Sequence, residues 1–233
     1  MKFKSHRGGR RFLALVSAVL AGLVSTAVQA GSFTVSPVRI EIAMPRKAAA
    51  VEVENNGDRP AQIQVERFQW QRDNGADDEL LPTEDYIVTP PIVSLQPGQR
   101  QILRVMFLKP LDPRREATYR LILQETPLND PPPNTIATVL RLSLPVFVTP
   151  AGAKSELVWS QQWRDGKPAL AAENRGTAHA FIVGVKTPEG GKLPPTGYIL
   201  PGETRSWFLE SVAPERLVVQ LRDGTEASAA VSR

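Results

Sequence analysis

The sequence predicts an all-β fold, two immunoglobulin-like sandwiches that follow a cleavable secretory leader. Three observations carry this. Short apolar alternations of period two recur between turn signals, and no window of helical period is long enough to compete. About seven alternations, the strand count of one sandwich, precede a composition shift at Thr149-Pro150-Ala151-Gly152-Ala153, and a smaller set follows it. The N-terminus reads as an export signal. The chain therefore divides into a signal peptide at 1–30, a first sandwich at 31–149 and a smaller one at 150–233.

In the leader, Lys2, Lys4, Arg7, Arg10 and Arg11 form a basic region, and Phe12 to Leu23 is apolar. Val28-Gln29-Ala30 supplies small residues for cleavage, and the apolar run is too short for a spanning helix. The first strands are expected at Phe33–Ala43, Ala49–Glu54, Ala61–Trp70 and Ile87–Leu95. Gln101–Leu108, Thr118–Glu125 and Ile136–Thr149 complete that set. Pro97 pre-sets φ in the Leu95-Gln96-Pro97-Gly98 turn, and Gly98 takes the positive φ of a type II turn. Asn55-Asn56-Gly57-Asp58 is a second turn, and Asp73 to Asp78 an acidic loop without the ligand spacing of a calcium site. Beyond the shift, Glu156–Trp163 and Pro168–Glu173 flank Asp165-Gly166, a hairpin signal. Strands are expected next at Phe181–Lys186, Gly197–Leu200, Ser206–Leu209 and Arg216–Leu221.

Composition excludes several functions. Loss of residues 1–30 takes five of the 28 Lys+Arg, leaving 23 against 24 Asp+Glu. The basic pI belongs to the leader, and no nucleic-acid or anionic-membrane footprint remains. With 0 Cys there is no disulfide, thiol nucleophile or thiolate metal site. His179 is the one histidine after the leader, with no Ser or acid at motif spacing, and no Gly-rich phosphate loop is present. The sequence thus indicates no enzyme, no cofactor, no metal and no stable membrane insertion of the mature chain.

Four segments are more specific: Ser36-Pro37-Val38-Arg39-Ile40, the β-turn-β unit Ile87 to Val105, Tyr119-Arg120-Leu121 through Pro127, and Leu142-Ser143-Leu144-Pro145-Val146-Phe147-Val148. In this order and spacing they resemble the periplasmic pilus-assembly chaperones of the chaperone–usher pathway, in the archaic branch that serves spore-coat-U-like pilins. The resemblance covers residues 33–150 well and the remainder in outline. It implies two sandwiches set at an angle and a chaperone working in the periplasm. Its partners would be pilin subunits, capped by donor-strand complementation, and an outer-membrane usher.

The same resemblance assigns residues. Arg39, which alternation alone reads as a solvated mid-strand side chain, falls where these chaperones carry a cleft base for the client's C-terminal carboxylate. Arginine suits this role because its planar fork meets a carboxylate bidentately. A second base, a lysine in better-known members, is replaced here by Pro145, which leaves Arg104 or Arg141 as candidates. Ile136, Leu140 and Leu142 are the expected donor-strand residues, on an apolar face that continues through Leu144. That face would line the protein's own core in an ordinary sandwich, and would serve a partner if the strand is an edge. Near Thr89-Pro90-Pro91 the resemblance implies a cis proline. The rival reading is a secreted Ig-like adhesion module or a pilus subunit, although the N-terminal segment runs into Ser36-Pro37 with little free tail.

Overall fold

A computed structural model describes residues 33–72, 77–126 and 139–233. They form eighteen strands. The first ten are β1 (Phe33–Ser36), β2 (Ile40–Ala43), β3 (Ala48–Asn55), β4 (Ala61–Gln71), β5 (Glu79–Pro82), β6 (Tyr86–Thr89), β7 (Ile92–Leu95), β8 (Arg100–Phe107), β9 (Ala117–Thr126) and β10 (Arg141–Thr149). The rest are β11 (Leu157–Arg164), β12 (Lys167–Asn174), β13 (Ala180–Lys186), β14 (Lys192–Leu193), β15 (Gly197–Ile199), β16 (Thr204–Phe208), β17 (Arg216–Leu221) and β18 (Glu226–Ser232). No helix among the described residues is long and apolar enough to cross a membrane.

The first sandwich faces a four-stranded sheet, ordered β1-β3-β8-β6, with a six-stranded sheet ordered β2-β10-β9-β4-β5, where β7 also pairs with β4. Alternation decides the inner faces. In β8, Leu103, Val105 and Phe107 are buried, while Arg100, Ile102, Arg104 and Met106 point outward. Their burial joins Val51, Val53, Leu121, Leu144 and Val146 in one core, each large side chain contributing roughly 1.5–3 kcal/mol. Tyr86 stacks on Phe107 at 4.9 Å, and its hydroxyl donates to the Arg120 carbonyl at 2.9 Å, so its one polar atom is satisfied.

Two expected strands are each split by proline and change sheet. Phe33–Ala43 breaks at Ser36-Pro37, so that β1 joins the four-stranded sheet and β2 the six-stranded one. Ile87–Leu95 breaks at Pro90-Pro91, with β6 in one sheet and β7 in the other. Proline lacks the N–H a continuing ladder needs, and continuous apolar alternation hides that interruption. The peptide bonds Ser36-Pro37, Met44-Pro45 and Thr89-Pro90 are cis, the last as the resemblance implied.

The remaining strands form one sheet system, ordered β14-β13-β17-β18-β11-β12-β16 with β15 beside β13, around a second core built on Trp159, Leu170, Ile182, Ile199 and Leu217. Asp165 at φ 49° and Gly166 at φ 72° make the expected tight hairpin between β11 and β12. β18 had no counterpart in the sequence reading; its Ala/Ser-rich Glu226–Ser232 has too weak an apolar alternation. Both sandwiches tie one corner with the same knot. Asn55 donates to the Leu95 carbonyl and accepts from Gly57 N–H, and the Gly98 N–H closes on the Asn55 carbonyl. Asn174 makes the equivalent bonds to Ile199, Gly176 and Gly202. Buried asparagines at these positions are therefore fully used.

Candidate functional site

The outer face of the six-stranded sheet is set by register. Pro145 of β10 lies opposite Arg120 of β9, and Arg120 opposite Phe68 of β4. On the other side β2 begins its parallel pairing at Ile40↔Val146. Arg39, in the bend one residue earlier, comes level with Pro145. Tyr119, Val146 and Ile40 point into the core, so their neighbours Arg120 and Pro145 face outward. Glu41, outward between buried Ile40 and Ile42, holds Arg39 Nη2 at 3.0 Å and keeps that guanidinium on the same face. Two arginines thus flank the proline that replaces the expected lysine.

Arg120 is the functional candidate that the sequence reading missed. Its segment, Tyr119-Arg120-Leu121, was in view, but only the β9–β10 register puts it beside Pro145. Its guanidinium lies 3.7 Å from the centre of the Trp70 ring, and Nη2 reaches Asp78 Oδ2 at 3.3 Å. Its buried Nε has no partner among the described residues. Burial pushes the Arg120 guanidinium down from its ordinary value, and Asp78 pulls in the opposite direction. The other two candidates fare differently. Arg104 points from the outer face of the four-stranded sheet, beside Ala50 and Thr89, on the opposite side of the sandwich from Arg39. This corrects its candidacy as a cleft base: the period of β8 gives it an outward direction but not which sheet it leaves. Arg141 shares the face of Arg120, two rows along β10, but is held by Glu66 Oε2 at 3.1 Å and Gln124 Oε1 at 3.1 Å.

Just beyond the arginine row, this face meets the second sandwich. Trp70 and Phe147 pack with Leu200 and Tyr198, the Trp70 and Tyr198 rings meeting edge-on at 5.6 Å. His179 stacks on Phe147 at 3.6 Å, and its Nδ1 and backbone N–H both contact buried Glu116 Oε1, whose other oxygen accepts from Thr149 Oγ1 at 2.7 Å. His179 is therefore a junction residue. Arg72 donates from Nη1 to Glu203 Oε1 at 2.9 Å and to the Tyr198 carbonyl, while its Nε and Nη2 take Asp78. Burial is the largest influence on the Asp78 carboxyl and pushes it up, but the hydrogen bonding from Arg72 and the Arg72 and Arg120 charges act together with the other nearby donors to hold it below the usual range. The acidic loop's Asp78 is thus committed to two guanidiniums.

β10 has two different edges. Val146–Val148 lie between β9 and β2, whereas among the described residues Arg141–Pro145 pair with β9 alone. Glu125 N–H donates to the Leu140 carbonyl at 2.8 Å, so Leu140 turns its backbone toward β9. By antiparallel alternation Leu142 and Leu144 do the same, and Arg141, Ser143 and Pro145 turn their backbone groups away from β9. A proline is tolerated there because its missing N–H would have faced away from the ladder. Of the three expected donor residues, Leu140 and Leu142 are half-buried, Leu142 against the core, and Ile136 lies outside the described residues. Leu144, on the same side, is 5% exposed and belongs to the protein's own core.

The model of the family described as pili and flagellar-assembly chaperone, PapD N-terminal domain, matches residues 32–154. A probable fimbrial chaperone LpfB of Escherichia coli O157:H7 is 27% identical over 148 residues, 61% of this chain. That alignment spans 60% of the relative's length. Among solved structures, the complex of the chaperone CsuC with the tip adhesion subunit CsuE, from archaic Csu pili of Acinetobacter baumannii, aligns with a TM-score of 0.72 at 23% identity, over 86% of this chain and 98% of that one. The Salmonella enterica SafA pilin complex with the SafB chaperone aligns at 0.65 and 18% identity, covering 87% and 97%. At these identities the structural likeness establishes the two-sandwich fold.

Proposed function

The chain belongs to the pili and flagellar-assembly chaperone family, and from that premise we propose that it is a periplasmic chaperone that caps incomplete pilin subunits and hands them to an outer-membrane usher. The observation that carries this reading is the open edge of Arg141–Pro145 beside the Arg39 and Arg120 guanidiniums. A client strand aligned on that edge finds free backbone partners at Arg141 and Ser143, and Pro145 ends the run of donors. Main-chain bonds give general affinity, while Leu140, Leu142 and Ile136 fill the client's groove and set register. The client's C-terminal carboxylate is received by Arg39, with Arg120 as the second base in place of the expected lysine. No nucleotide is needed: client folding free energy, held in reserve, drives later strand exchange. In this reading the leader at 1–30 is removed on export, residues 31–149 carry the capping strand and residues 150–233 complete the cleft.

The test is co-expression with small secreted pilin candidates followed by affinity purification. Arg39→Ala and Arg120→Ala should each weaken capture by about one to two decades, as expected for loss of a charge-assisted bond of roughly 1.5–3 kcal/mol, with the protein still folded. Arg39→Lys should restore part of the loss, because the fork geometry is gone. Normal capture by both alanine variants would refute the anchor roles.

A further inference from the structure

Each cleft guanidinium already holds a carboxylate of the protein's own. Arg39 has Glu41, half-exposed, and Arg120 has Asp78, whose side chain is 37% exposed. The two oxygens of Asp78 are unequally placed. Oδ1 takes Nε of Arg72 at 2.8 Å and also Nη2 of Arg72, while Oδ2 stands 3.3 Å from Arg120 Nη2. Charge-assisted N–H···O bonds settle near 2.7–2.9 Å, so the Arg120 contact is the slack half of this bridge. Arg72 is the permanent holder, pinned in turn by Glu203 and the Tyr198 carbonyl. Arg120, with five N–H donors, has that one side-chain acceptor among the described residues.

We propose that Asp78, with Glu41 as a weaker counterpart, is a placeholder carboxylate that occupies the cleft in the empty chaperone and determines which anions can enter it. This rests on the reading of Arg39 and Arg120 as client anchors. A free small carboxylate must displace Asp78 from Arg120 with nothing else in its favour. The carboxylate of a client already paired along β10 arrives at high effective concentration and wins the exchange. Asp78 then remains on Arg72, so displacement leaves no buried charge unpaired. The placeholder makes the cleft selective for a carboxylate at the end of an extended, strand-pairing chain over the small anions around it.

The test needs no client. Sodium acetate is titrated into the exported protein at constant ionic strength, with chloride as control, reading the arginine Nε–H resonances of Arg120 and Arg39 by NMR. Asp78→Asn should bind acetate about fivefold more tightly than wild type at Arg120, the scale of losing one partly exposed ion-pair competitor. Asp78→Glu should return acetate binding toward wild type. Glu41→Gln, at an exposed position that leaves folding intact, should give a gain of about twofold at Arg39. Unchanged or weaker acetate binding in both Asp78→Asn and Glu41→Gln overturns the proposal and makes these acids orienting partners of the arginines. That outcome is separable from failure of the anchor reading, in which Arg39→Ala and Arg120→Ala capture pilins normally.

Discussion

The two halves of β10 are one strand in one sheet, yet their edges differ. From Val146 to Val148 the strand is enclosed, with β9 on one side, β2 on the other, and Val146, Phe147 and Val148 almost wholly buried. From Arg141 to Pro145 it keeps the β9 ladder and has no second neighbour among the described residues, because β2 does not begin until Ile40. The difference is made by the bend at Pro37 to Arg39, which both delays β2 and carries the arginine to the end of the open edge. One local interruption thus shortens the second neighbour and sets a guanidinium at its end. An open edge is normally an aggregation hazard that a protein blunts or covers.

The largest expected effect tests the enclosed half. Phe147→Ala should cost about 3–5 kcal/mol in denaturant unfolding, since the ring packs with Trp70, His179 and Tyr198. The open half should respond differently. Leu140→Ser with Leu142→Ser should lower the protein's own stability by less than Phe147→Ala, because both side chains are half-buried, while pilin co-purification falls at least tenfold. Equal stability losses without a selective loss of capture would erase the distinction between the halves.

A smaller effect concerns acid. The Asp78 carboxyl is held below its ordinary 3.8 in the folded state. Its contribution to stability is therefore complete above that value and is lost as pH falls through the lower, folded value. The stability difference between wild type and Asp78→Asn should accordingly hold level above about pH 5 and shrink as pH falls below 3.8 in denaturant titrations. A difference that stays constant would remove the Arg72–Asp78–Arg120 bridge from the cleft's energetics.

Much of the fold is legible in the sequence because the inner faces of β3 and β8 alternate cleanly and Gly98, Asp165 and Gly166 mark turns whose φ is positive. What escaped has a common cause. Whether Pro37 interrupts a strand, whether Arg104 leaves one sheet or the other, and whether Arg120 stands beside Pro145 are all questions of register between distant segments. Periodicity along one strand carries no information about its neighbours. The same holds for the donor face: alternation grouped Leu142 with Leu144, but only the lengths of β2 and β10 separate the enclosed part from the open one. The matching Asn55 and Asn174 knots likewise share few residues beyond asparagine, proline and glycine, so no repeat of fixed period announces them.

Amide hydrogen exchange along β10, without and with a bound pilin subunit, tests the central claim most directly. The Arg141 and Ser143 amides face the open edge, and should exchange rapidly in the free protein and become strongly protected in the complex. Val146, Phe147, Val148 and Thr149 should be protected in both states. Protection of Arg141 and Ser143 that is already present without client, or that does not change when client binds, would contradict the assignment of this edge as the capping strand.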